Sequence, residues 1–408
     1  MMKKLSVDRL SSWILFSFLI LYTFIRPVFK YFEYAHGSIR INFSVIFALF
    51  TLVFVFFNYY YSSRKNKLIV YDSRTYILGA SLLYIILIQI IQLPFILSDC
   101  ESCFVTYLSI TSSTIFSYIL FFFLGFQIIA FFNDPQKRKL LFFSWLAYSS
   151  IVLINTGVGG TGSYRINLEG EQIYLMLADA YAFLSIIAVF FSRKFVFRSI
   201  IFLFSSFILF LLLSRTSLYL FVLIGVLLLF RTHPFKMSLL LLLLILGAAI
   251  VLDVNFLQFK ENRMLRFILT GQDSSWSHRE RLLREGYEHL SNHWVFGEFM
   301  WEVKANHGQT GGYIHNVLSI LNQFGVIPFV IILVSMFVAY VKIGVAFLFK
   351  GNETTYFLFS IASFGILAMI LSRSHQVPYF WLSLTAILSY YKQYHDTGVS
   401  IHFDARKK

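Results

Sequence analysis

Charge is scarce in this sequence: Asp, Glu, Lys and Arg make up 13% of its 408 residues. Average proteins carry about 25%, and a soluble domain this poor in charge would aggregate. Cysteine is nearly absent, with only Cys100 and Cys103, which excludes a disulfide scaffold and leaves too few thiols for a structural zinc site. The pair falls in one short segment and reads as a loop staple or two thiols, since no thioredoxin-like pattern surrounds it. There is no solenoid-period repeat and no low-complexity tract. What is plentiful is apolar: 58% of residues are hydrophobic and 19% aromatic, with a mean hydropathy of +0.72.

An apolar run of about 20 residues crosses a bilayer as a helix, and the chain has room for about twelve, joined by short loops. It therefore reads as a single all-α polytopic integral membrane domain over residues 1–408. The expected spans lie at about 11–29, 41–60, 75–97, 107–132, 139–156, 172–191, 199–213, 217–230, 237–253, 316–341, 355–372 and 379–391. The start, with Lys3 and Lys4 ahead of an apolar stretch, resembles a secretory signal. Its run is too long and lacks a small-residue cleavage site, so it counts as the first span.

The net charge of +14 records topology rather than a nucleic-acid partner, because Lys and Arg collect in cytoplasmic loops. Arg64, Lys65, Lys67 and Arg74, then Lys137, Arg138 and Lys139, then Arg193, Lys194 and Arg198, and finally Arg406 to Lys408 all fall on the side of the N-terminus. That side is expected to be the cytoplasm, with both termini on it. Residues 254–315 then form one large outward loop of about 60 residues, a length that in a chain of short loops marks function.

Within that loop Ser277-His278-Arg279-Glu280 fits a capping box, predicting a helix from Ser277 to about Asn292. Arg281 with Glu285 and Arg284 with Glu288 stand at i,i+4 on its solvated face. Arg279 shares a different stripe, with Leu283, Gly286 and Leu290. It reads either as a side chain snorkelling to water or as a cation aimed at a ligand. Arg215, in the minimal turn Leu213-Ser214-Arg215-Thr216, sits on the side where arginine is disfavoured. A charge at mid-bilayer costs roughly 2.5–3.5 kcal/mol, less near the surface, so Arg215 is either an interfacial anchor or a partner for an anion. Two outward guanidiniums suit a diphosphate, for which no metal is then needed.

The loop ends Gly311-Gly312-Tyr313-Ile314-His315-Asn316, expected to run directly into the tenth span. An imidazole there can take a proton near neutral pH, so His315 is a candidate general base; Asn316 reads as a helix cap or as a group orienting the histidine or a sugar. Gly157 to Gly162 lacks the Lys-Ser/Thr of a P-loop and reads as a flexible loop delivering Arg165. Arg373 and His375 occupy the last outward turn and extend the basic cluster. Asp179, a rare acid inside a span, is expected to pair with a neighbouring helix.

The order of these features resembles that of the O-antigen polymerase (Wzy-type) and O-antigen ligase families of bacterial surface polysaccharide synthesis. The resemblance rests on Ser214-Arg215-Thr216, on Ser277-x-Arg279 opening a long loop, on Phe296-Gly297, and on Tyr313-Ile314-His315-Asn316 leading to Gly325. The chain departs from the family pattern at Pro328, where glycine is common. The resemblance implies an inverting glycosyl transfer on the periplasmic face of the inner membrane, from an undecaprenyl-diphosphate donor to a sugar hydroxyl, with no cofactor or metal. Arg215 and Arg279 would hold the diphosphate, His315 would act as base, Asn316 would orient, and Arg165 and Arg373 would add contacts to diphosphate or glycan. A chain-length regulator is the implied protein partner. A polymerase is favoured over a ligase that transfers to the lipid A core; a flippase for the same lipid-linked sugars is the rival from another class.

Overall fold

The computed structural model describes residues 7–29, 73–99, 104–156, 173–212, 214–240, 274–305, 314, 316–371, 373 and 377–397. Helices dominate them, and no strand occurs among the described residues. In chain order the named helices are α1 (Val7–Ile20), which continues through a π-helical turn at Leu21–Ile25, α2 (Ser73–Asp99), α3 (Phe104–Asn133), α4 (Pro135–Thr156), α5 (Ile173–Val189), α6 (Phe195–Leu211), α7 (Arg215–Thr232), α8 (Ser274–His293), α9 (Trp301–Ala305), α10 (Leu318–Phe324), α11 (Val326–Phe349), α12 (Glu353–Leu371) and α13 (Tyr379–Thr397).

Six of the described segments are long and apolar enough to cross a membrane: Ser12–Phe29, Ser73–Gln92, Tyr107–Asn133, Arg215–Thr232, Val326–Phe349 and Glu353–Leu371. The chain is thus a helical membrane protein. The shorter apolar helices Leu175–Val189 and Phe195–Leu211 coincide with two further expected spans. The expected spans at 41–60 and 237–253 lie wholly or mostly outside the described residues.

Two expectations are corrected. The helix predicted from Ser277 begins at Ser274, so Ser277 lies inside its first turn rather than at its cap. The span expected at 316–341 is broken: α10 ends at Phe324, Gly325 adopts φ +81°, and the long helix runs Val326–Phe349. Only glycine takes that left-handed conformation without strain. Pro328 is accommodated because it falls in the first turn of α11, where an N–H has no intrahelical acceptor.

The chain clusters into two compact units: Met1–Leu21 with Arg40–Lys137 and Arg279–Lys408, and Tyr22–Ile39 with Arg138–His278. In the first, α3 packs closely on α13. Gly125 leaves no space for a Cβ beside Thr385 Oγ1 and the Leu382 carbonyl, the small-residue approach that brings membrane helices together. Rings fill the rest of that interface, with Phe121 edge-on to Tyr379 at 5.3 Å and Tyr118 5.7 Å from Trp381. In the second unit, helices are joined by interhelical hydrogen bonds. Trp145 Nε1 lies 3.1 Å from both Ser185 Oγ and Ser205 Oγ, and Tyr148 donates to the Leu177 carbonyl at 3.0 Å.

Candidate functional site

The residues singled out in the sequence fall in both units. In the second, α6 and α7 are joined by the minimal turn that the sequence predicts, and Arg215 opens α7, partly exposed. Ser214 occupies the N-cap position without capping. Its hydroxyl instead meets Ser217 Oγ at 2.7 Å, and Ser217 donates to Asp179 Oδ1 at 2.6 Å. Asp179 is therefore tied to the first turn of the Arg215 helix, as its expected pairing with a neighbouring helix requires. A buried carboxylate bound by a hydroxyl at the foot of a cationic helix start is a pre-positioned polar site.

In the first unit, Arg279 sits half-buried on α8. Leu282, Gly286 and Leu290 of the same helix are buried, while Arg281 pairs with Glu285 at 3.1 Å on the exposed face. Ile314, the residue before His315, is 1% exposed and presses on Gly286, where a Cβ would collide with its side chain. Asn316 Oδ1 accepts the Leu318 N–H at 2.9 Å and its carbonyl accepts the Ser319 N–H at 3.0 Å, a turn that leads into α10, whose N-cap position is Val317. Arg373 is buried, and its backbone N–H closes the end of α12 on the Ala368 carbonyl at 2.9 Å. His315, Arg165, His375, Cys100 and Cys103 lie outside the described residues.

The structure adds a polar cluster that sequence reasoning missed. Between α8 and α9 the chain is non-helical over residues 294–300, and buried backbone groups there need hydrogen-bond partners. Side-chain amides supply several of them. Gln92 of α2 donates to the Gly297 carbonyl at 3.3 Å and accepts the Phe299 N–H. Gln323 accepts the Met300 N–H, Tyr107 donates to the Phe299 carbonyl at 3.0 Å, and the Glu298 N–H reaches the Asn322 carbonyl at 2.9 Å. Two motif glycines meet here: Gly297, with φ +69°, lies against the Gln323–Gly325 backbone, and Gly325 lies against the Val295 carbonyl. Phe296-Gly297 and Gly325 thus form one closure, although 28 residues separate the two glycines in the chain.

Around this strap the acids and imidazoles converge. His289 Nδ1 meets Asn322 Oδ1 at 2.9 Å and its Nε2 meets Glu298 Oε2 at 2.9 Å. His293 stacks on one face of His289 and Trp301 on the other, with centroids 4.4 and 4.3 Å away. The bond from His289 holds the Glu298 carboxyl below the usual carboxylate range, assisted by Lys304. Glu302 is buried, takes the Gln323 amide on both oxygens at 2.6 Å, and is pushed by burial up to about 7. The sequence signal for this cluster was the His289-x-x-x-His293 spacing, i and i+4 on one helix face. No protein-family model matches the chain, and no match is found among the curated proteins.

Proposed function

We propose that the chain is a polymerase of lipid-linked oligosaccharides, joining undecaprenyl-diphosphate-linked repeat units on the periplasmic face of a bacterial inner membrane. In this reading it has about twelve spans, cytoplasmic termini, and 254–315 as the large periplasmic loop. The observation that carries it is the seating of Ile314 on Gly286 of α8. It ties the residue next to His315 to the helix of Arg279, and Gly286 stands seven residues from Arg279, about 10 Å along a helix. A diphosphate and its first sugar bridge such a distance.

The chemistry is a displacement at the anomeric carbon. His315 takes the proton from the acceptor hydroxyl, the freed oxygen bonds to C1 with inversion, and undecaprenyl diphosphate departs with the electron pair of the C1–O bond. Arg279 and Arg215 stabilise the charge that develops on the diphosphate. Asn316, in the turn before α10, would orient the histidine or the sugar. Arg165 and Arg373 serve diphosphate or glycan as outer contacts.

Deleting the gene and restoring it with single variants tests this. A deletion strain whose lipid A core carries single repeats, corrected by the wild-type gene and by neither the Arg279→Ala nor the His315→Ala gene, is the expected result. Loss of all core-linked repeats with lipid-linked polymer accumulating would make the protein a ligase. Accumulation of unflipped repeat units would make it a transporter.

A further inference from the structure

We propose that His289, His293 and Glu298 form a binding site for one divalent late transition-metal ion, zinc in the first instance, which clasps α8 to the strap that follows it. The argument is one of lone pairs. Asn322 Nδ2 donates to the Gly286 carbonyl at 3.1 Å, so its Oδ1 is the atom facing His289 Nδ1, and that ring nitrogen carries a proton. His293 Nδ1 faces the His289 carbonyl at 3.3 Å and carries one too. Each ring then has Nε2 as its remaining ligand atom, and both of these lie near one oxygen, Glu298 Oε2, at 2.9 and 3.6 Å. Metal binding would displace the Nε2 proton through which His289 bonds to Glu298 at 2.9 Å and put a cation among the three atoms in its place.

The pattern is that of a metal site seen from its second shell. Ligating histidines donate their other N–H to a carbonyl or carboxylate, which fixes tautomer and ring orientation. Here both do. The three ligand atoms lie within 4.8 Å of one another, and a tetrahedral ion with bonds of about 2.0–2.1 Å asks for separations of roughly 3.3 Å. His293 is 45% exposed at its side chain, so its ring can turn to close the difference. Lys304 approaches the other carboxylate oxygen, Glu298 Oε1, at 3.6 Å, and leaves Oε2 to the ion. Two imidazoles and one carboxylate select zinc, copper or nickel over magnesium or calcium.

The site lies in the segment that joins α8 to α10, and it stands on this cluster alone, whether or not the chain transfers sugars. Its task is structural: the ion would hold the start of the strap, whose Gly297 packs on Gly325, against the helix that carries Arg279. No step of the glycosyl transfer runs through it.

The test uses tag-free full-length protein in detergent, stripped with a chelator and titrated with Zn(II), with Co(II) as a spectroscopic stand-in. One Zn(II) per chain, visible Co(II) absorption of a low-coordinate nitrogen–oxygen site, and a rise of a few degrees in Tm on Zn(II) addition are expected. His293→Ala and Glu298→Gln should each weaken binding at least tenfold, while Arg281→Ala leaves it unchanged. His293 is half exposed, so its loss is compatible with folding, which size exclusion checks; Glu298→Gln keeps a hydrogen-bonding group of the same shape. Binding that is unsaturable, or equally tight in both variants, overturns the proposal. So does folded wild-type protein that binds no Zn(II).

Discussion

The polar site at the start of α7 and the polar cluster around the strap are built on opposite plans. At α7 the groups are neighbours in sequence. Ser214, Arg215 and Ser217 occupy one turn, and a single carboxylate, Asp179, comes from another helix. At the strap, Gln92, Tyr107, His289, Glu298, Glu302, Asn322 and Gln323 come from five helices and the strap itself. The first plan puts a charge at the end of a membrane helix, beside groups that are its neighbours in sequence. The second holds irregular backbone within a helical membrane protein, and every amide it uses answers a specific backbone group. The site at α7 should therefore tolerate single changes in stability, whereas the strap should not.

The largest effect should come at the glycine closure. Gly325→Ala forces an L-residue into φ +81° against the Val295 carbonyl, and we expect a loss of about 3 kcal/mol or more, read as collapse of the monodisperse peak or of the thermal transition. Gln323→Ala strands the Met300 N–H and takes the amide from the Glu302 carboxyl, which should lower stability by about 2–3 kcal/mol in denaturant titrations.

Glu302 gives the strap a pH dependence. Its folded pKa of about 7 stands above the model-peptide value of 4.5, so between those values the folded state binds more protons than the unfolded one. Stability is then fullest near pH 4.5, falls as pH rises to 7, and levels off above it, with an amplitude of at most about 3 kcal/mol. A Tm profile across that window that flattens in Glu302→Gln is the expected result. At α7, Ser217→Ala removes one hydroxyl bond to Asp179 and should cost about 1 kcal/mol, the usual size for interhelical bonds in membranes. Arg281→Ala, which breaks an exposed pair with Glu285, should change stability by under about 0.5 kcal/mol. An order reversed between Gln323→Ala and Ser217→Ala would break the comparison.

The helical membrane class was legible because long apolar runs and scarce charge have one physical outcome. The α6–α7 turn was legible for the same reason, since two apolar runs around Leu213-Ser214-Arg215-Thr216 leave no residues for anything longer. The break at Gly325 was not, because an apolar stretch on both sides of a glycine reads as one span until the Val295 carbonyl is seen filling the place of its Cβ. The charges used for orientation carried a second meaning as well. Lys137 is buried, with Nζ 4.7 Å from the Phe131 ring centroid, and Arg198 is buried with Nε on the Ser192 carbonyl at 2.7 Å. Long basic side chains fold their stems and heads into packing that sequence position does not reveal. The strap was illegible for a further reason: Gln92, Asn322 and Gln323 look like ordinary amides until the backbone they serve is known.

The central claim is that outward-facing arginines and His315 carry out glycosyl transfer. Its most direct test is polymerisation by the purified protein, given undecaprenyl-diphosphate repeat units and no core acceptor, with products resolved by gel. The account predicts a ladder from the wild type and none from Arg279→Ala or His315→Ala. A ladder that survives His315→Ala, or no ladder from folded wild-type protein, would contradict it.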